Sequence, residues 1–165
     1  MASIKTILRL PSGTELKASL DPNLKIADHF KVSELANNKA YDECKFLIST
    51  QSLMFIEMVE EFRRWFNKSM TVSSCYRTPS YNKSVGGDAN SAHLQACAMD
   101  WWIPGHTELQ RNNVRSKWEE ILKAHNVIGA INFYTNGYHL EAFSNLWYGQ
   151  KAFTVRDYRK KKGDW

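Results

Sequence analysis

The sequence predicts an α+β domain: a small antiparallel sheet with packed helices and an added N-terminal hairpin. Three observations carry this. Residues 49–68 repeat apolar side chains at three and four residues, the period of a helix with one buried stripe. Residues 126–143 alternate around a Thr-Asn-Gly break, the pattern of a β-hairpin. Two predicted helices accompany several short strands, the pattern of an antiparallel sheet backed by two helices.

In chain order, IKTILRL, Pro-Ser-Gly and TELKASL predict a hairpin over residues 4–20. The helix of residues 49–68 places Leu53, Ile56, Val59, Phe62 and Phe66 on its buried stripe. Glu57, Glu60, Glu61, Arg63 and Arg64 lie largely around that stripe. MTVSSCY, residues 70–76, reads as a strand. RTPSYNKSVGGDANS, residues 77–91, is a long loop rich in turn formers with room for one helical turn, and loops of this length are usually functional. CAMDWWI, residues 97–103, is a further strand ended by Pro104-Gly105. A second helix spans residues 108–124 and carries Leu109, Val114, Trp118, Ile121 and Leu122. NVIGAINFY and YHLEAF then form the clearest hairpin, and RDYRKKKGDW, residues 156–165, is a basic tail.

A length of 165 residues fits one domain covering residues 1–165. The 43% hydrophobic and 24% charged fractions exclude disordered and collagen-like classes. No apolar run is long enough to span a membrane, and the first residues lack the apolar core of a signal peptide, so no membrane span is expected. Cys44, Cys75 and Cys97 share no C-x-x-C spacing and read as reduced, buried thiols. A net charge of +5, concentrated in the tail, suits a polyanion such as nucleic acid, an acidic membrane or an acidic wall polymer, and equally suits a solubilising tail.

The residues able to do chemistry follow Tyr76. His93 and Asp100 are seven apart, which points them to opposite faces of one flat strand; they share a ligand only if the chain bends at the small residues Ala96 to Ala98. His139 and Glu141, two apart in a strand, project from the same face. Two histidines and one aspartate leave an open fourth position on zinc, as hydrolytic sites require, although from spacing alone each histidine is more often a hydrogen-bonded surface or core residue than a ligand.

The run SSCYRTPSYNKSVGGDANSAHLQACAMD, Ser73 to Asp100, resembles the signature of the zinc D-alanyl-D-alanine carboxypeptidases and L-alanyl-D-glutamate endopeptidases. These cell-wall peptidases share their fold with the Hedgehog signalling domain. Their pattern is S-G-Y-R-[ST]-x-x-Y-N, a Gly-Gly turn, S-x-H-x-x-G-x-A-x-D, and a later histidine in a tyrosine-rich hairpin. The resemblance runs from about Phe30 to Phe143 and leaves the first hairpin and the basic tail outside. It implies a Hedgehog/DD-peptidase-like fold with Zn2+ on His93, Asp100 and His139. It also implies Arg77 on the substrate carboxylate or polarised carbonyl, and Ser91 and Tyr134 as substrate contacts.

Three positions depart from the pattern. Ala96 replaces a glycine, so the bend must form without positive φ or with altered packing. Cys75 replaces the glycine before Tyr76. Asn136 stands where many relatives place a catalytic carboxylate, and an amide cannot accept the proton of an attacking water. Glu141 is the available substitute, as general base or as the acceptor that orients His139; Asp88 or another loop carboxylate is the remaining choice.

The resemblance implies a zinc peptidase acting on the peptide stems or cross-links of bacterial peptidoglycan. Together with the basic charge and the start of the chain, it suggests a monomeric, phage-type endolysin made in the cytoplasm and acting on the wall after release. The other reading, motivated by Asn136, is a wall-binding module that keeps the fold without turnover. A nucleic-acid binder rests only on the charge and RKKK, with no motif, and is not expected. Which bond is cut, D-Ala-D-Ala or L-Ala-D-Glu, depends on loops that the sequence does not place.

Overall fold

Hydrogen bonding between five short strands builds the frame of the molecule. The computed structural model describes residues 16–19, 23, 25–36 and 45–159, with backbone only at 16–19 and 45–48. In order the elements are β1 (Leu16–Ser19), α1 (Val32–Leu35), β2 (Lys45–Ile48), α2 (Thr50–Phe66), β3 (Thr71–Ser74) and α3 (Pro79–Ser84). A 3-10 turn (Ala92–Gln95) follows, then β4 (Ala98–Trp102), α4 (Glu108–Ala124), β5 (Gly129–Tyr134), β6 (Gly137–Ala142), α5 (Ser144–Tyr148) and β7 (Thr154–Asp157). The main sheet has the order β3-β4-β6-β5-β7. It is antiparallel except at its last edge, where β7 runs parallel to β5, so the fold is α+β with a mixed sheet.

β1 pairs antiparallel with β2, a strand not foreseen in the sequence, while residues 4–10 of the expected first hairpin lie outside the described residues. Cys44 and the tail beyond residue 159 lie outside them too. Cys75 and Cys97 are buried free thiols, and burial pushes Cys75 up to about 12. Among the described residues no helix is long and apolar enough to cross a membrane.

One face of the sheet is the core. Trp101, Tyr138 and Phe133 form one apolar row across β4, β6 and β5, and Met99, Leu140 and Ile131 form the next. α2 and α4 cover them: Phe62 meets Trp101 edge-on at 5.3 Å and Trp118 at 6.1 Å. α2 starts where Ser49 and Ser52 cap each other's backbone N–H groups. Its buried stripe is wider than the expected one, because Phe55 and Met58 are fully buried while Leu53 and Phe66 are only partly so. Glu60 is buried as well, its carboxylate held by the His29 backbone N–H at 3.1 Å and ring Nδ1 at 2.5 Å. On α4, Leu109 is exposed and Arg111 is buried instead, donating to the carbonyls of Tyr134 and Thr135 and so tying down the β5–β6 turn.

Gly137 opens β6 where a Cβ would lie 2.2 Å from the Trp101 carbonyl oxygen, so only glycine lets β4 and β6 close at that end. Gly137→Ala is expected to lower stability by about 1–3 kcal/mol, the usual range for a strand forced off its partner. Urea unfolding checks this, and an unchanged midpoint would contradict it.

Candidate metal centre

The other face of the sheet carries a polar row. Ser74 pairs with Asp100, Asp100 with His139, His139 with Asn132, and Asn132 with Arg156, one residue from each of the five strands. Laterally paired residues share a face, so all five point into one cleft of about 460 Å³. A bulge makes the row complete. β3 advances two residues, Val72 to Ser74, while β4 advances one, Trp101 to Asp100, which leaves Ser73 as the extra residue and brings Ser74 beside Asp100. In the next row, Ala98 and Ala130 flank Glu141 and keep the floor low.

His93 reaches the row from outside the sheet. It rides on the 3-10 turn, where the Ser91 hydroxyl accepts from the His93 backbone N–H at 3.3 Å, and the chain then reverses at Ala96 before entering β4. Ala96 has φ 51°, so the expectation of a bend without positive φ is corrected: the alanine adopts the left-handed conformation usual for glycine. Its surroundings enforce this: the Ala96 N–H donates to His93 O, the Cys97 N–H donates to Ala92 O, and the side chain is fully buried.

His93, Asp100 and His139 bring one ligand-type atom each within 4.8 Å of one another, and all three are buried. His93 Nδ1 lies 2.6 Å from the Cys75 carbonyl, which can only accept, so Nδ1 carries the proton. Its Nε2 lone pair then faces Asp100 Oδ2 at 3.3 Å, two acceptors with no proton between them. Burial lowers the His93 pKa although Asp100 pulls it up, so the ring is neutral at pH 7. A cation resolves that confrontation, and two imidazoles with a carboxylate are a donor set of the zinc type.

His139 sits between two acids, Nδ1 at 2.7 Å from Asp100 Oδ1 and Nε2 at 3.2 Å from Glu141 Oε2. Burial works against its charge, but the hydrogen bonds to Asp100 and Glu141 lift its pKa to about 9. Burial likewise opposes charge on Asp100, yet His93 and His139 hold its carboxyl well below the usual range. Arg77 adds a hydrogen bond from Nη2 to Asp100 Oδ2 and another from Nε to Ser74 Oγ at 2.8 Å. The Arg77 backbone N–H donates to the His93 carbonyl, fastening the loop to the turn.

Arg77, Ser91, Tyr134, Glu141 and Asp88, all singled out in the sequence, also line the cleft. Asn136 does not; it borders a separate pocket of about 80 Å³ shared with Asp100, Tyr134 and Trp102. Glu141 Oε1 is buried and makes no hydrogen bond among the described residues. Asn132, Tyr148 and Arg156 were missed as cleft residues. For Asn132 the signal was present, because in a two-residue hairpin turn it falls opposite His139.

The fold is an α+β domain whose sheet carries, on its open face, a buried His-Asp-His group that could hold a metal ion. Residues 28–138, about two thirds of the chain, match the model of the Peptidase M15 family, and the chain belongs to that family. No curated protein matches it. The matched segment carries Arg77, Ser91, His93, Asp100 and Tyr134 and stops one residue before His139, which strand register brings to the group.

Metal uptake at pH 7 is expected to release about one proton, because His139 keeps its Nδ1 proton below about pH 9 and must lose it to become a ligand. Apparent affinity should therefore climb about tenfold per pH unit up to that point and flatten above it. Zn2+ titration calorimetry in buffers of different ionisation enthalpy checks this. Uptake without proton release would contradict it.

Proposed function

We propose that the protein is a zinc metallopeptidase that hydrolyses peptide stems or cross-links of bacterial peptidoglycan, in the manner of a phage endolysin. Membership of the Peptidase M15 family supports peptidase activity. The observation that carries the zinc assignment is the unprotonated meeting of His93 Nε2 and Asp100 Oδ2 beside His139, at the floor of an open polar cleft. The +5 charge suits an enzyme that works among anionic wall polymers.

His93, Asp100 and His139 are the proposed metal ligands. A zinc ion held by them would supply Lewis acidity toward water and a peptide carbonyl. Arg77 braces Asp100 and offers the rest of its planar guanidinium to a carbonyl or carboxylate in the cleft. Burial and the nearby Asp100 charge push the Tyr134 phenol up to about 12, so it remains a hydrogen-bond donor across the working range and suits a developing oxyanion. Ser91 holds the turn under His93 and lies at the cleft wall for substrate.

Glu141 is assigned to positioning. It accepts from His139 Nε2, which leaves Nδ1 toward Asp100 and His93, the tautomer a ligand requires. Asn136, away from the cleft, favours a second reading in which the fold binds wall peptides without turnover.

Digestion of purified sacculi by zinc-loaded protein, with the new amino termini identified by mass spectrometry, decides between the readings. Chelator-sensitive cleavage is expected; metal retention without cleavage would favour the binding module. Arg77→Lys should keep zinc and fold yet lose most of kcat/KM, since a point charge cannot replace a two-donor fork. An unchanged kcat/KM would contradict the role. Glu141→Gln should hold zinc within a few-fold and retain most activity, whereas Glu141→Ala should weaken zinc about 10–100-fold. A fall in kcat of about 10²–10⁴ in Glu141→Gln with unaltered zinc affinity would make Glu141 the general base instead.

A further inference from the structure

Arg156 has no part in the functions above and lies beyond the segment that matches the family. β7 runs parallel to β5 in a register that sets Arg156 beside Asn132, itself beside His139, so its side chain closes the polar row at the edge opposite Ser74. Alternation along β7 turns Thr154 and Arg156 to the cleft face and Val155 and Asp157 to the other, where they pair with core residues Ile131 and Phe133. The half-buried guanidinium contacts Asn132 Oδ1 through Nη1 at 3.5 Å and lines the same cleft as His93, Asp100 and His139.

Its electrostatic setting differs from that of the other ordered arginines near the sheet. Arg77 is matched by Asp100, Arg159 by Asp157 and Glu108, and Arg111 by two carbonyls. Among the described residues Arg156 has no carboxylate partner, only the neutral amide of Asn132. Of the acids lining the cleft, Asp100 and Glu141 are engaged by the histidines and Asp88 accepts from the Asn90 backbone N–H. A fixed, unneutralised, planar cation in a cleft is a receptor for a carboxylate.

Position then selects which carboxylate. Two strand spacings, about 10 Å, separate β6 from β7, and the side chain spans part of that gap. What remains is about one to two residues of extended peptide at roughly 3.3–3.6 Å each. We propose that Arg156, steadied by Asn132, is a substrate-binding residue that grips a free carboxylate one or two residues from the bond held at His93, Asp100 and His139, making the cleft selective for acidic peptides. This rests on the peptidase reading and names its substrate class.

The test uses two probes, the peptide L-Ala-D-Glu-L-Lys-D-Ala-D-Ala and the same peptide with every carboxylate amidated. Their affinities are measured by calorimetry on zinc-free protein, where no turnover intervenes, for the wild type, Arg156→Gln and Arg156→Lys. The wild type should bind the free acid at least tenfold more tightly than the amide. Arg156→Gln should shrink that preference to within about threefold through loss for the acid alone, and Arg156→Lys should restore part of it. Unchanged affinity for the amidated peptide reports an intact cleft. The proposal is overturned if the wild type shows no preference or binds neither peptide, if Arg156→Gln keeps the preference, or if both peptides weaken equally. Should zinc-loaded protein cleave neither peptide while the preference and its loss in Arg156→Gln persist, the peptidase reading fails and the carboxylate site stands.

Discussion

Lateral strand register is the constraint on which the site depends. Ser74, Asp100, His139, Asn132 and Arg156 occupy one line across five strands, and a slip of one residue in any strand would send its member to the core face. The apolar face prevents such slips. Moving β4 by one residue would expose Trp101 and bury Asp100 among Phe62, Phe66 and Tyr138, trading the burial of a large aromatic for an unpaired charge. Core packing on one side of the sheet thus fixes the chemistry on the other.

Burying three ionisable side chains, His93, Asp100 and His139, has its own cost, and the molecule offsets most of it with partners. Asp100 is met by Arg77 and His139, and His139 is met in turn by Glu141. One contact stays unsatisfied, the lone pair of His93 against Asp100. An incomplete hydrogen-bond network of this kind, held everywhere around one gap, is one that a cation can complete. The positive φ at Ala96 serves the same end, since the left-handed residue lets the chain turn sharply enough to bring His93 over a strand that alternation alone would have denied it.

Much of this was legible in the residues. The periods of α2 and α4 and the β5–β6 hairpin follow from amphipathic spacing and turn formers, and the same-face placement of His139 and Glu141 follows from strand alternation. The approach of His93 to Asp100 could be stated only as a bend permitted by small residues, because a single sequence does not display a left-handed alanine. β2 and β7 were missed because each is four residues long and its meaning is tertiary. Arg156 looked like part of a basic tail, and its role emerges only from a parallel pairing between residues distant in sequence. Glu60 likewise looked like a surface charge until His29 was seen to cover it.

X-ray absorption at the zinc edge of the zinc-loaded protein tests the central claim most directly, because it reads the atoms around the metal without depending on turnover. The expected first shell holds nitrogen and oxygen at about 2.0–2.2 Å, with the outer scattering of two imidazole rings from His93 and His139. A sulfur shell near 2.3 Å, which would place the metal on a cysteine, Cys44, Cys75 or Cys97, or an oxygen-only shell without imidazole scattering, would contradict it.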